Sequence, residues 1–189
     1  MTRTPGIADL GAALARPRPR GLPRQMRMAA VAVVFREGTG GLELLFVKRR
    51  VRPGRRWSGD IAFPGGLAER HETAADAARR ETREEVSLGL GSPLGRLSAQ
   101  LTLEPRGARP MRVVPVVFAH EGSAPIECEP AEIAEAFWVP WSGLASARTR
   151  WIRRSIGPVP ILAPSIDLDG RPLWGLTLQM VEELRRRLR

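Results

Sequence analysis

The apolar positions of this chain fall into short runs separated by polar turns, with helical spacing in two places. Residues 28–35 (MAAVAVVF) form an apolar, partly β-branched run bounded by charge and glycine, which predicts a buried strand. A turn at 37–41 (EGTGG) follows, and residues 42–48 (LELLFVK) return as the second arm of a hairpin. A polar, Arg-rich loop over 49–60 ends in a short strand and turn at 61–66. Residues 74–86 run without Gly or Pro and place Ala75, Ala78, Thr82 and Val86 on one face, so a helix is predicted there. Thr73 is its N-cap, with Asp76 three residues on in a box-like arrangement. Residues 95–103 and 112–120 read as strands, and Pro115 marks the second as an edge or bulged strand. An acidic stretch over 127–135 leads to a short strand at 136–139 and a short helix at 141–147. The pattern closes on an amphipathic helix over 174–189, with Leu176, Met180, Leu184 and Leu188 sharing a face. Strands mixed with one central and one terminal helix predict an α/β sandwich, and no internal repeat is visible.

Length and composition narrow the setting. At 189 residues the chain suits one domain with a short appendage. The division read here is an N-terminal arm over 1–27, a short helix and a Pro/Arg-rich linker, followed by the main domain over 28–189. No stretch approaches ~20 uninterrupted apolar residues, so no membrane partner is expected. The arm lacks an apolar core before a small-residue cleavage site, which argues against secretion. Cys128 is the single cysteine, which excludes an internal disulfide and fits a reducing, cytoplasmic setting. The formal charge of +10 raises the question of nucleic acid. Yet Lys48 is the only lysine, tyrosine is absent, and the arginines are spread over the arm, the segment before the helix and the C-terminal helix. A nucleic-acid partner is therefore not expected, and a basic surface equally suits a small polyanionic substrate.

The chemistry lies between Gly66 and Leu88 (GLAERHETAADAARRETREEVSL). Glu81, Glu84 and Glu85 stand at i, i+3 and i+4 and share one helix face. Like charges at that spacing repel, so they gain nothing structurally unless a cation lies between them. Arg80 is four residues before Glu84 and can pair with it. The segment resembles the Nudix box, G-x5-E-x7-R-E-U-x-E-E-x-G-U, where U is a bulky apolar residue. Gly66, Glu72, Arg80, Glu81, Glu84, Glu85 and Leu88 occupy their places. Thr82 replaces an apolar residue, and Ser87 replaces the glycine that usually ends the helix, so Gly89 or Gly91 is expected to take the C-cap. Glu132-Ile133 with Phe137-Trp138-Val139-Pro140 is similar to a segment found after the box in this superfamily.

The resemblance implies a Nudix-type α/β/α sandwich with a mixed β-sheet, and a hydrolase that splits nucleoside diphosphate derivatives with Mg²⁺ or Mn²⁺. It implies Glu81, Glu84 and Glu85 as metal ligands and catalytic groups, with the Gly66 carbonyl completing the protein's share. Arg80 and Glu72 would brace the site. In the superfamily the general base is either the first glutamate of the R-E pair, here Glu81, or a glutamate of a later loop, for which Glu132 is the candidate ahead of Glu129. His71 and His120 are read as surface or supporting groups, and Trp138, Trp141, Trp151 and Trp174 as packing residues. Homodimers are common in the superfamily, and one is carried as an expectation.

Two further matches concern the substrate. Leu173-Trp174-Gly175-Leu176-Thr177 is similar to the I-W-G-L-T start of the last helix in the coenzyme A pyrophosphatase branch. That branch also carries LLTxR[SA]x3Rx3Gx3FPGG before the box, and Arg50, Arg55 and Gly59 fit it, whereas Lys48 and Val51 do not. Coenzyme A has a 3′-phosphate besides its diphosphate, and Arg49, Arg50, Arg52, Arg55 and Arg56 offer bidentate partners for such groups. The leading expectation is cleavage of coenzyme A or acyl-CoA to 3′,5′-ADP and 4′-phosphopantetheine, with Arg50 and Arg55 on the substrate. The rivals are ADP-ribose, dinucleoside polyphosphates or oxidised nucleotides. A non-catalytic nucleotide sensor is a further alternative, disfavoured because sensors usually lose box glutamates, and an RNA-binding protein is the outsider.

Overall fold

The computed structural model describes residues 5–15, 25–52, 58–104, 109–122, 125–156 and 159–188. A helix, α1 (Ile7–Leu14), precedes a long hairpin of β1 (Arg27–Gly38) and β2 (Gly41–Arg49). Then come β3 (Ile61–Ala62), β4 (Gly65–Leu67) and the box helix α2 (Ala74–Val86). Strands β5 (Pro93–Arg96), β6 (Gln100–Leu103), β7 (Pro110–Ala119) and β8 (Ile133–Pro140) complete the main sheet, and α3 (Trp141–Ser146) follows. A separate three-stranded antiparallel sheet of β9 (Arg150–Ile156), β10 (Val159–Leu168) and β11 (Arg171–Trp174) leads into α4 (Gly175–Arg187).

The main sheet is mixed, as expected: β1 and β7 run parallel over Arg27 to Phe35, and the other pairings are antiparallel. The hairpin strands separate after their turn. β1 pairs with β2 only from Phe35 to Gly38, and farther down the same flank it pairs with β4 at Ala29 to Val31. β2 likewise turns to β3 at Val47 and Lys48. The segment from Ile61 to Leu67 thus fills a fork in the sheet, where the Ala32 N–H donates to the Pro64 carbonyl at 2.8 Å and Phe63 stacks on Phe46 at 5.0 Å. Gly65 meets the tightness of that fork, because at its φ of 151° a Cβ would lie 2.3 Å from the Ala30 carbonyl oxygen.

Alternation along the strands divides the core. Val33, Phe35, Leu44 and Phe46 face one side, packed with α1, α3, α4 and the second sheet. Ala32, Val34, Leu45 and Val47 face the other, where Ala74, Ala77 and Ala78 let α2 lie close. Leu10 and Leu14 of α1 are buried in the first of these clusters.

Four sequence expectations are corrected. The strand expected over 95–103 is two strands, broken between Arg96 and Gln100. β7 is not an edge, since it is paired on both flanks; the expectation of incomplete pairing at Pro115 holds, because it sits opposite the break between β5 and β6, where its missing N–H costs no ladder bond and its carbonyl accepts from the Leu97 N–H. Neither Gly89 nor Gly91 caps α2; Ser87 itself adopts the left-handed conformation, φ 56° and ψ 23°. Trp151 is not a packing residue, being 70% exposed, while Trp141 is buried. Among the described residues, no helix is long and apolar enough to cross a membrane.

Candidate active site

The site is built where α2 meets the fork. Thr73 and Asp76 cap the helix reciprocally, so its start and phase are set locally. Thr82 fits its buried position because its hydroxyl donates to the Ala78 carbonyl at 2.7 Å. With the phase set, Glu81 and Glu85 point toward the glycine turn and Glu84 toward solvent, with side-chain exposures of 16%, 3% and 57%.

Arg80 ties these parts together. Its guanidinium donates to both Glu72 oxygens at 2.9 and 3.1 Å, to Glu81 at 2.8 Å, to Glu84 at 3.1 Å and to the Leu67 carbonyl at 3.0 Å. Glu72 also accepts from the Glu69 N–H at 2.7 Å. The hydrogen bond from Arg80 and the one from Glu69 hold the Glu72 carboxyl below its usual pKa, and the Glu72 bond raises that of Arg80. The loop before the helix is therefore pinned to the helix by a planar, permanently charged fork.

Glu85 is in a different state. One oxygen accepts from the Gly65 N–H at 2.9 Å, and the other lies 3.8 Å from the Arg49 guanidinium. Burial pushes its pKa up to about 7, against the Arg49 charge and the Gly65 bond, with Glu81 and Glu132 adding repulsion. Burial raises Glu81 as well, with Arg80 opposing and Glu84 and Glu132 adding to the rise. Gly66 explains how Glu81 reaches the turn, since a Cβ there would lie 2.4 Å from a Glu81 oxygen.

The structure brings a second loop to this place. The Glu129 N–H donates to the Glu85 carbonyl at 2.9 Å, and the Glu132 carbonyl accepts from the Arg50 N–H at 2.8 Å. The Glu132 carboxylate lies 3.5 Å from Arg52, whose guanidinium also donates to the Ala131 carbonyl. Glu129 is spent on its own turn, accepting from the Ala131 N–H. The residues singled out in the sequence thus converge: Gly66, Glu72, Arg80, Glu81, Glu84 and Glu85 around the turn, Glu132 beside them, and Arg50 on the adjoining stem. Arg55 lies outside the described residues. His71 is exposed and His120 stacks on Trp138, so neither histidine enters the site. Sequence reasoning placed Arg49 and Arg52 only in a phosphate-binding cluster, and did not foresee Arg49 at Glu85, the Gly65 N–H or the Arg52–Glu132 pair. The position of Gly65 in the Phe63-Pro64-Gly65-Gly66 turn was the one available signal.

Among the described residues, no three His, Cys, Asp or Glu side chains already form a metal cage. The donor chemistry nevertheless fits a hard divalent cation. Glu85 and Glu81 are carboxylates whose pKa burial and neighbouring carboxylates raise, and the missing Cβ at Gly66 lets the Glu81 carboxylate reach the turn.

Comparison with known proteins agrees with this geometry. The NUDIX domain profile matches residues 26–158. A stretch of 67 residues is 40% identical to peroxisomal coenzyme A diphosphatase 1 of Saccharomyces cerevisiae, covering 35% of this chain and 19% of the yeast protein. The matched part is thus about a fifth of that protein's length. The fold is similar to the NUDIX domain of Shewanella oneidensis NrtR, solved with ADP ribose, at a TM-score of 0.59 and 18% identity over 94% of this chain and 97% of that one. It is also similar to a MutT NUDIX hydrolase from Burkholderia pseudomallei, at a TM-score of 0.54 and 20% identity over 85% and 99% of the two chains. With the profile covering most of the chain and the box glutamates gathered at the turn, this chain belongs to the NUDIX domain family.

Proposed function

We propose that this protein hydrolyses the diphosphate linkage of coenzyme A or acyl-CoA, releasing 3′,5′-ADP and the 4′-phosphopantetheine moiety. The observation that carries the reading is the arginine-bearing stem at 49–52, which lies against two of the site carboxylates: Arg49 at Glu85 and Arg52 at Glu132. A substrate with phosphates at two separate places needs cations beyond those at the scissile bridge, and this stem supplies them next to it. The local likeness to the yeast coenzyme A diphosphatase supports the same choice.

In this reading Glu81 and Glu85, with Glu84 beside them and the Gly66 carbonyl, hold Mg²⁺ or Mn²⁺. A divalent cation bound there would supply charge neutralisation at the diphosphate oxygens and a lowered pKa for a bound water, together on the order of several kcal/mol. Glu132 in this reading accepts the proton of the attacking water, from a loop docked to the end of α2 by the Glu129 N–H at the Glu85 carbonyl. Arg80 and Glu72 keep helix and loop in register, and Arg50 and Arg55 bind the substrate's phosphates.

The test is turnover of coenzyme A, acetyl-CoA, ADP-ribose, NADH, diadenosine polyphosphates and 8-oxo-dGTP with each metal. Coenzyme A or its thioester should be cut fastest, giving 3′,5′-ADP. Rapid turnover of another compound with coenzyme A untouched overturns the reading. ADP-ribose, the ligand named for the Shewanella structure, is the rival to compare.

A further inference from the structure

The loop between β2 and β3 is closed at its base by two contacts of different origin. Within the stem, the Arg49 N–H donates to the Asp60 carbonyl at 3.1 Å. From outside, the Trp174 indole Nε1–H donates to the Asp60 carboxylate at 2.9 Å, across 114 residues of sequence. Trp174 is itself well fixed. It ends β11, pairs with buried Ser165 of β10, stands at the N-cap of α4, and carries the Arg154 guanidinium 5.4 Å from its ring centre. The other side of the stem rests on the Glu132 loop through the Arg50 N–H and the Arg52 guanidinium. The stem is thus held between the carboxylate site and the start of the C-terminal helix.

Arginine side chains are long and lose much rotamer freedom on binding, so their value to a ligand depends on where their backbone is held. A neutral N–H on a carboxylate is a charge-assisted bond, stronger than a neutral pair. Phenylalanine at this place would keep an aromatic face for Arg154 and leave the Asp60 carboxylate without its donor.

We propose that Trp174 is a positioning residue for the substrate. Its indole N–H, acting through Asp60, fixes the base of the arginine loop, and with it Arg49 against Glu85 and Arg50 and Arg52 at the substrate's phosphates. The proposal rests on the reading of this loop as the phosphate contact. It gives the Leu173-Trp174-Gly175 segment a task at a site far from it in sequence.

The test compares Trp174→Phe, Asp60→Ala, the double variant and Asp60→Asn. With whichever nucleotide the protein cuts, Trp174→Phe should raise KM about three- to tenfold and leave kcat within about twofold. Asp60→Ala should match it, and the double variant should be no worse than either, because both remove one bond. Asp60→Asn keeps an accepting oxygen but loses the charge assistance, so its KM should fall between those of the unaltered protein and Asp60→Ala. Limited trypsin digestion, mapped by mass spectrometry, should show faster cutting after Arg49 and Arg50 in Trp174→Phe and Asp60→Ala. That measurement needs no substrate, so a mistaken substrate class appears as absent coenzyme A turnover with the cutting difference intact. An unchanged KM overturns the proposal, whatever the cutting shows, as do additive effects of the two single variants or a loss confined to kcat. If Trp174→Phe fails to fold, equal KM values for Asp60→Ala and Asp60→Asn overturn it on their own.

Discussion

Two glutamates are buried on helices that pack against opposite faces of the main sheet, and their surroundings differ. Glu183 of α4 accepts from the Ser98 N–H at 3.0 and 3.1 Å and from the Ser98 hydroxyl at 3.1 Å, and Arg187 lies 2.8 Å away. Glu85 of α2 has one N–H, an arginine at 3.8 Å and two carboxylates nearby. Burial is similar, at 7% and 2% exposure, so burial alone does not mark a site. What marks it is charge left without enough partners, which a structural ion pair never tolerates and a cation site requires.

The largest expected effect breaks the undercompensated side. Glu85→Gln should lower turnover on the order of a thousandfold, by loss of charge at the metal position, while the protein stays folded. Retained turnover, measured at saturating Mg²⁺, would remove Glu85 from the site. The compensated side should fail differently. Glu183→Ala should cost about 3 kcal/mol of stability in urea unfolding, because Arg187 is left buried without its partner, with kcat of the folded fraction unchanged. Lost turnover at full stability would erase the distinction between the two residues.

A pH titration without metal sharpens the contrast. The Glu85 pKa is raised to about 7 from 4.5, so between those values the folded protein keeps a proton that the unfolded chain has released. Stability should therefore fall as pH rises from 4.5 to 7 and level off above, by about 3 kcal/mol in full. Denaturant midpoints in EDTA should show this slope, and Glu85→Gln or added Mg²⁺ should flatten it. Glu72 acts with the opposite sign: its lowered pKa gives stability that is present above 4.5 and lost as pH falls below it. The smallest effect concerns the end of α2. Ser87→Gly should add about 1 kcal/mol of thermal stability, since glycine takes the left-handed cap without strain.

Much of the fold was readable from periodicity. The β1–β2 hairpin, the bounds of α2 and its inner face followed from local pattern and capping chemistry, all short-range. The second sheet was not readable. In β9 and β10 an arginine or proline interrupts nearly every apolar pair, and half of that surface faces solvent, so no period stands out. The box residues were legible because their spacing is a helix repeat. Arg49 at Glu85 and Trp174 at Asp60 were not, because both depend on how the sheet forks and where a distant strand ends.

The fork has a consequence for the order in which the molecule can assemble. The β1–β2 hairpin closes over a short turn, whereas β7 pairs with β1 across a long stretch of sequence that includes α2, and such distant pairing is slow. Gly65 and Gly66 have no place to rest until β1 and β2 have parted and β4 has filled the gap. Hydrolytic competence should therefore be a late acquisition in refolding. In stopped-flow dilution from urea, helical signal should return first, and activity should return with the slowest phase.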